Sequence, residues 1–209
     1  MNEPERNKRD IQISKAMSYL LRHAAVKEKL AIDEDGYVQI EDLLKHQRLK
    51  TFRTSIADLE RVVQNDNKQR YTIKDNAICA NQGHSIKSVG SDNLELLTLE
   101  TIPSEVYHGT YRNKLGLIYS SGGLNRLRRN HIHMTSKAYS VKSGIRYNAN
   151  VLIYIDVAKC MEAGIKFYKS LNDVILSEGD ENGYISWKYF DKVVEVKTGE
   201  KLDTQEYEK

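Results

Sequence analysis

Five of the six histidines lie in four short runs: Leu21-Arg22-His23, Gln82-Gly83-His84-Ser85, His108-Gly109-Thr110 and His131-Ile132-His133. Imidazole, with an ordinary pKa near ~6.5, can exchange protons around neutrality or bind a metal. An H-x-H pair on a strand puts both rings on one face, because side chains alternate with period two. Zinc sites share that geometry but need a third ligand and a supporting outer layer. Arg126, Arg128 and Arg129 instead crowd the H-x-H run with positive charge, which opposes a divalent cation and favours phosphate. No metal is therefore expected. Arginine suits phosphate because its planar fork bonds two oxygens at once and stays charged at any working pH. Arg22, Arg70 and Arg129 come from a helix end, a strand start and a segment preceding a strand. They can serve one ligand only if two distant halves of the chain face each other; singly, each reads as an ordinary surface arginine.

The elements that must position these residues fall into two groups. Ile13, Ala16, Met17, Leu20, Leu21 and Ala24 recur at three- and four-residue steps, predicting an amphipathic helix whose last turn carries Arg22 and His23. A turn and short strand over Asp35 to Ile40, a helix from Glu41, and a third helix from Ser55 to Gln64 follow, the last with Ile56, Leu59, Val62 and Val63 inward. Arg70 to Ile73 and Ala77 to Ala80 flank Lys74-Asp75-Asn76 as a hairpin. Three helices and then a hairpin is the order of a winged helix, a shape that often binds nucleic acid. Lys45 to Arg53 adds basic charge at a turn between helices. Asn81 to Ser104 is polar, contains Gly83, Gly90 and Pro103, and reads as a linker.

Beyond it lie short strands at Val106 to His108, His131 to Met134 and Val151 to Ile155. A helix near Asn113 to Tyr119 closes at Gly122-Gly123, and another from Ala158 to Ala163 stops at Gly164. The charged stretch after Lys197 is expected to fray. The fold class expected is α+β, a winged-helix lobe over residues 1–95 followed by a β-rich lobe over 96–209.

Composition bounds the function. Of 209 residues 40% are hydrophobic and 29% charged, enough for a core and unlike a disordered chain. A net charge of +3 is too mild to imply nucleic-acid binding without local clustering. Cys79 and Cys160 lie far apart and form no CxxC, which suits ordinary thiols in a reducing cytosol. MNEPERNKRD has no apolar signal region, and no apolar run approaches the ~18–20 residues of a membrane span, so a soluble cytoplasmic protein without a membrane partner is expected.

Eight motifs between Ser14 and Leu176, within a likeness that runs from about Ser14 to Phe190, occur in a shared order. They are Ser14-Lys15-Ala16-Met17-Ser18-Tyr19-Leu20-Leu21-Arg22-His23, Asp35-Gly36-Tyr37-Val38, Lys68-Gln69-Arg70-Tyr71, Ala80-Asn81-Gln82-Gly83-His84-Ser85, His108-Gly109-Thr110, Arg129-Asn130-His131-Ile132-His133, Ser143-Gly144-Ile145-Arg146 and Asn172-Asp173-Val174-Ile175-Leu176. In that order they resemble the RNA 2′-phosphotransferase family. The resemblance implies a winged-helix RNA lobe and a lobe of the ADP-ribosyltransferase fold. It also implies NAD as co-substrate, 2′-phosphorylated RNA such as tRNA as substrate, and no obligate protein partner. In the implied reaction the RNA 2′-phosphate attacks the nicotinamide-bearing ribose carbon and expels nicotinamide. The ribose 2″-hydroxyl then attacks phosphorus, giving RNA with a 2′-OH and ADP-ribose 1″,2″-cyclic phosphate.

By family position, Arg22, His23, Arg70 and Arg129 are the catalytic group, binding a phosphate of about −1.5 to −2 charge with Lys68 nearby. His23 either moves a proton or binds phosphate; as a helix-end cation it would also suit the dipole. His108, Gly109, Thr110 and His133, together with Ser143, Gly144 and Arg146, are implied to bind NAD. Protein-modifying relatives place a catalytic Glu on a late strand, where this chain has Val174, which argues for a phosphate acceptor that needs no general base. Many family members carry Arg where this chain has Cys79. His84 is equally readable as a structural histidine or a substrate contact. Two rivals stay open: an ADP-ribosyltransferase that caps phosphorylated nucleic-acid ends, and a non-catalytic winged-helix sensor of NAD or ADP-ribose.

Overall fold

Asn2 starts the first helix through a capping box: its side chain accepts the Glu5 N–H at 3.0 Å, and the Glu5 carboxylate accepts the Asn2 N–H at 3.1 Å. Helix α1 (Glu3–Tyr19) therefore begins well before the apolar repeat at Ile13. It runs into a π-helical turn, Leu20–Ala24, instead of ending as a regular α-helix. The Ala25 N–H reaches back to the Leu20 carbonyl at 2.8 Å, and Arg22 and His23 ride on this widened turn. The computed structural model describes residues 2–91, 94–139, 145 and 148–208. The chain divides into two units, Met1–Asn93 and Leu94–Lys209.

In the first unit, β1 (Tyr37–Gln39), α2 (Ile40–Lys45), α3 (Gln47–Lys50), α4 (Ile56–Gln64), β2 (Tyr71–Lys74) and β3 (Ala77–Ala80) follow α1. The strands form an antiparallel sheet in the order β1-β3-β2. Asp75 and Asn76, both at positive φ, make the two-residue hairpin between β2 and β3. Ser55 caps α4 in a second capping box with Asp58. Ile13, Met17, Leu20, Leu21, Leu43, Leu49, Leu59 and Ile78 fill the core. The basic segment expected as a turn contains α3, because Leu49 is buried and His46 Nδ1 caps the helix by accepting the Arg48 N–H. Ile56, expected inward, is exposed at the first turn of α4. Arg9 and Arg61 on α1 and α4 share Asp58, and Arg61 also pairs with Asp10 at 2.7 Å.

The second unit is mostly β. Its strands are β4 (Glu95–Leu97), β5 (Val106–Thr110), β6 (Gly123–Asn125), β7 (Ile132–Met134), β8 (Val151–Ile155), β9 (Phe167–Lys169), β10 (Ile175–Ser177), β11 (Tyr184–Ser186) and β12 (Phe190–Glu195). Helices α5 (Leu115–Ser120) and α6 (Val157–Glu162) are short. The described strands form antiparallel sheets in the orders β4-β9-β10-β7, β12-β8-β5 and β11-β6. Tyr107 and Thr135 exchange backbone bonds of 2.9 and 3.0 Å, tying β5 to the chain leaving β7. Val106, Leu115, Met134, Ile153, Phe167, Ile175, Ile185 and Val193 form the core.

Two expectations change here. The segment read as a linker contains β4, an edge strand whose Leu97 alone is buried and whose Glu95 pairs with Lys169. The charged stretch after Lys197 is packed: the Leu202 N–H donates to Val193 O at 2.8 Å, and the Tyr207 ring lies 5.6 Å from Tyr119. Among the described residues, no helix is long and apolar enough to cross a membrane. The architecture is mixed α+β, with an N-terminal helix and several antiparallel sheets.

Candidate active site

The loop after β3 folds back on the π-helical turn. The Ser85 N–H donates to Arg22 O at 2.8 Å, and Ser85 Oγ lies 2.9 Å from His23 Nδ1. Gly83 has φ +90, and a Cβ there would meet Arg22 Nε at 3.3 Å, so the absent side chain lets this backbone press against the guanidinium. Arg22 is consequently half-buried while His23 stays exposed. His84 is 8% exposed, and a Cβ on Gly36, at φ +85, would come within 3.0 Å of its Nε2. His84 thus packs the loop against the β1 turn, which accounts for it structurally.

Arg70 is fixed by a residue the sequence reading did not single out. The nearly buried Asp66 carboxylate accepts the Arg70 N–H at 2.7 Å and the Lys68 N–H at 3.2 Å, and also pairs with Arg70 Nη1. One carboxylate therefore shapes the Lys68-Gln69-Arg70 turn and aims its guanidinium. An aspartate directly before a tight turn was the available signal, because Asp side chains bond backbone N–H groups two residues on. Asn81 completes the frame: its N–H donates to Arg70 O and its side-chain amide to Gln69 O. Asn81 opens the loop that carries Gly83 and Ser85, so a single backbone segment holds Arg70 at one end and Arg22 with His23 at the other.

In the second unit, His108 on β5 and His133 on β7 are linked directly. His108 Nδ1 donates to the His133 carbonyl at 2.8 Å, and His133 Nδ1 donates to the His131 carbonyl at 3.1 Å. A carbonyl can only accept, so both rings carry a proton on Nδ1, and in the neutral ring Nε2 is an acceptor. Two such acceptors suit ribose hydroxyls. Gly109 lies between them in sequence, where a Cβ would sit 2.6 Å from Ile145 Cγ2. The protein's own packing thus demands glycine there, in addition to any ligand. Thr110 is buried, and its carbonyl accepts the Asn150 N–H. Ser143, Gly144 and Arg146 lie outside the described residues.

Arg129 is exposed at the end of a tight turn whose N–H donates to Arg126 O at 3.1 Å. His131 approaches Glu178 at 3.9 Å. Val174 is fully buried just before β10. Among the described residues, no three His, Cys, Asp or Glu side chains are grouped to hold a metal. Burial pushes the Cys79 thiol up to about 11 and that of Cys160 to about 12, so neither is a nucleophile at neutral pH.

Residues 8–179 match the family described as RNA 2′-phosphotransferase, Tpt1 / KptA family. The chain belongs to this family. It is 41% identical to a tRNA 2′-phosphotransferase of Saccharomyces cerevisiae, over 96% of this chain and 91% of that one. It is 39% identical to tRNA 2′-phosphotransferase 1 of Danio rerio, covering 90% of this chain and 87% of the relative. A probable RNA 2′-phosphotransferase of Rhizobium leguminosarum is 34% identical, covering 86% and 95%. The match spans both units, so it covers the arginines of the first and the histidines of the second together.

Proposed function

We propose that this protein removes an internal 2′-phosphate from RNA, as left at a tRNA splice junction, by transferring it to ADP-ribose derived from NAD. The observation that carries this reading is the Arg22 and His23 turn, clasped by Gly83 and Ser85 and framed through Asn81 with Arg70, at the family's motif positions. Asp66 neutralises part of the charge on Arg70, and the cationic side chains of Arg22, Lys68 and Arg70 in the first unit, with Arg129 at its motif position in the second, are of the type that binds a phosphate monoester. Winged-helix and ADP-ribosyltransferase-like labels suit the two units: β1-β3-β2 follows helices in the first, and short antiparallel sheets dominate the second.

NAD enters as a substrate. The Nδ1-protonated rings of His108 and His133, each an Nε2 acceptor when neutral, suit its ribose hydroxyls. In the first step a 2′-phosphate oxygen, oriented by the arginines, forms a bond to the ribose C1″ as the bond to nicotinamide breaks. The phosphate monoester is already anionic, so no carboxylate base is needed, in keeping with Val174. In the second step the 2″-hydroxyl attacks phosphorus, the RNA 2′-oxygen leaves and takes a proton, and the cyclic phosphate departs on ADP-ribose. His23 can pass that proton, its Nδ1 tied to Ser85 and its exposed ring facing solvent.

The test is nicotinamide release from NAD with a short oligoribonucleotide carrying one internal 2′-phosphate. Release should depend on that phosphate. Equal release with unmodified RNA, or none with the modified RNA, would contradict the reading.

A further inference from the structure

Between β6 and the Arg129 motif the chain makes a turn, Arg126-Leu127-Arg128-Arg129, that holds an apolar side chain out among cations. Leu127 has φ +55, a left-handed conformation disfavoured for a branched side chain, and it is 81% exposed. This is not a loose loop. The Leu127 N–H is held by Asn125 Oδ1, the Arg129 N–H by Arg126 O, and the Arg126 N–H by Gly183 O at 3.0 Å. The Arg126 side chain crosses Gly183 so closely that a Cβ there would lie 2.5 Å from its Nε. Behind the turn, Asn125 pairs with Tyr184 where β6 meets β11. The fold thus fixes a strained backbone whose visible product is an outward Leu127, an arrangement expected at sites of function.

We infer that Leu127 is a packing surface for one nucleobase of the RNA beside the 2′-phosphate, with the exposed Arg128 on a neighbouring backbone phosphate. The inference rests on the proposed reading of Arg129, two residues on, as a ligand of that 2′-phosphate. Single-stranded RNA is commonly held with its bases unstacked and packed on protein side chains, so a base next to a bound 2′-phosphate has a use for an apolar face. One leucine matches one base face, whereas a protein partner would need a far wider apolar area than a single side chain. The arginines on both sides make the surroundings complementary to an RNA backbone rather than to an apolar partner.

The experiment compares wild type, Leu127→Asn and Leu127→Met on oligoribonucleotides with one internal 2′-phosphate. The RNAs are either intact or abasic at the phosphorylated nucleotide or at one of its two neighbours. Asn tolerates left-handed φ, so Leu127→Asn keeps the turn and removes only the apolar surface. Leu127→Asn should lose roughly tenfold in kcat/KM on intact RNA, the scale of one base-packing contact, mainly through KM. Wild type should lose as much at one abasic position, to which Leu127→Asn is indifferent, and Leu127→Met should resemble wild type. Wild-type kinetics from Leu127→Asn, or an equal loss on every abasic RNA, would overturn the inference and leave the turn to a protein partner. If wild type fails to convert intact RNA, the phosphotransferase reading itself falls, and this inference with it.

Discussion

The carboxylate of Asp66 holds both the backbone and the guanidinium of Arg70. Because Asp66 is nearly buried while Arg70 is about one-third exposed, the aspartate acts as the fixed half of the pair and the arginine as the solvent-facing half. Asp66→Asn should therefore lower kcat/KM by about tenfold or more while costing about 1–2 kcal/mol of stability. The double variant with Arg70→Ala should be no worse than Arg70→Ala alone, since both act through one guanidinium. Additive losses would show that Asp66 does something other than position Arg70.

Arg129 is exposed and contributes little packing. Arg129→Ala should reduce turnover by about 10²–10³-fold, as removal of a preorganised charge at a reacting group does, with the thermal midpoint unchanged. A folded variant with normal turnover would remove Arg129 from the site.

The His108 Nδ1–H ties β5 to the His133 carbonyl, and His108 stands at a motif position proposed to bind NAD. His108→Ala should raise the KM for NAD about tenfold at saturating RNA and cost about 1 kcal/mol of stability through the lost bond. A variant with unaltered NAD dependence would place the dinucleotide elsewhere.

The buried thiols give the fold an alkaline limit. Cys79 and Cys160 titrate at about 11 and about 12 when folded, above the ordinary range near ~8.5 reached on unfolding. The unfolded chain therefore loses these protons first. Their contribution is intact below about pH 8.5 and declines as pH rises toward the folded values. Denaturant titrations from pH 7 to 10.5 should show falling stability, with a shallower fall in Cys160→Ala, and neither thiol should react with a thiol reagent in the native protein at pH 8. Asp58 has the opposite sign. Arg9 hydrogen-bonds it and holds its carboxyl far below the usual range, so that contribution is present above about pH 4 and is lost as acid is added.

How much of this was legible in the sequence depended on whether a signal was local. Leu59 and Val62 follow helical spacing, and Asp75-Asn76 is a tight-turn pair, so α4 and the β2-β3 hairpin could be read directly. The π-helical turn under Arg22 and His23 could not, because apolar steps of three and four do not distinguish an α from a π turn over one turn. Strand β4 hid because only Leu97 is buried on an edge. The packing of the stretch after Lys197 depends on Tyr119, far away in the chain. Motif order supplied Arg22, His23 and Arg70, but what holds them did not follow from it: the Ser85 hydroxyl, the bare backbone of Gly83 and the Asp66 carboxylate are tertiary facts. Likewise Gly109, expected to be glycine for a ligand's sake, is required already by the nearness of Ile145.

The most direct measurement follows the phosphorus atom. An oligoribonucleotide labelled with ³²P at its single internal 2′-phosphate is incubated with the protein and NAD, and the label is traced while nicotinamide is counted. The account predicts that the label leaves the RNA and appears in ADP-ribose 1″,2″-cyclic phosphate, with one nicotinamide released for each phosphate removed and a 2′-hydroxyl left behind. Label released as inorganic phosphate without consumption of NAD, or retained on the RNA as a stable ADP-ribosyl adduct, would contradict it.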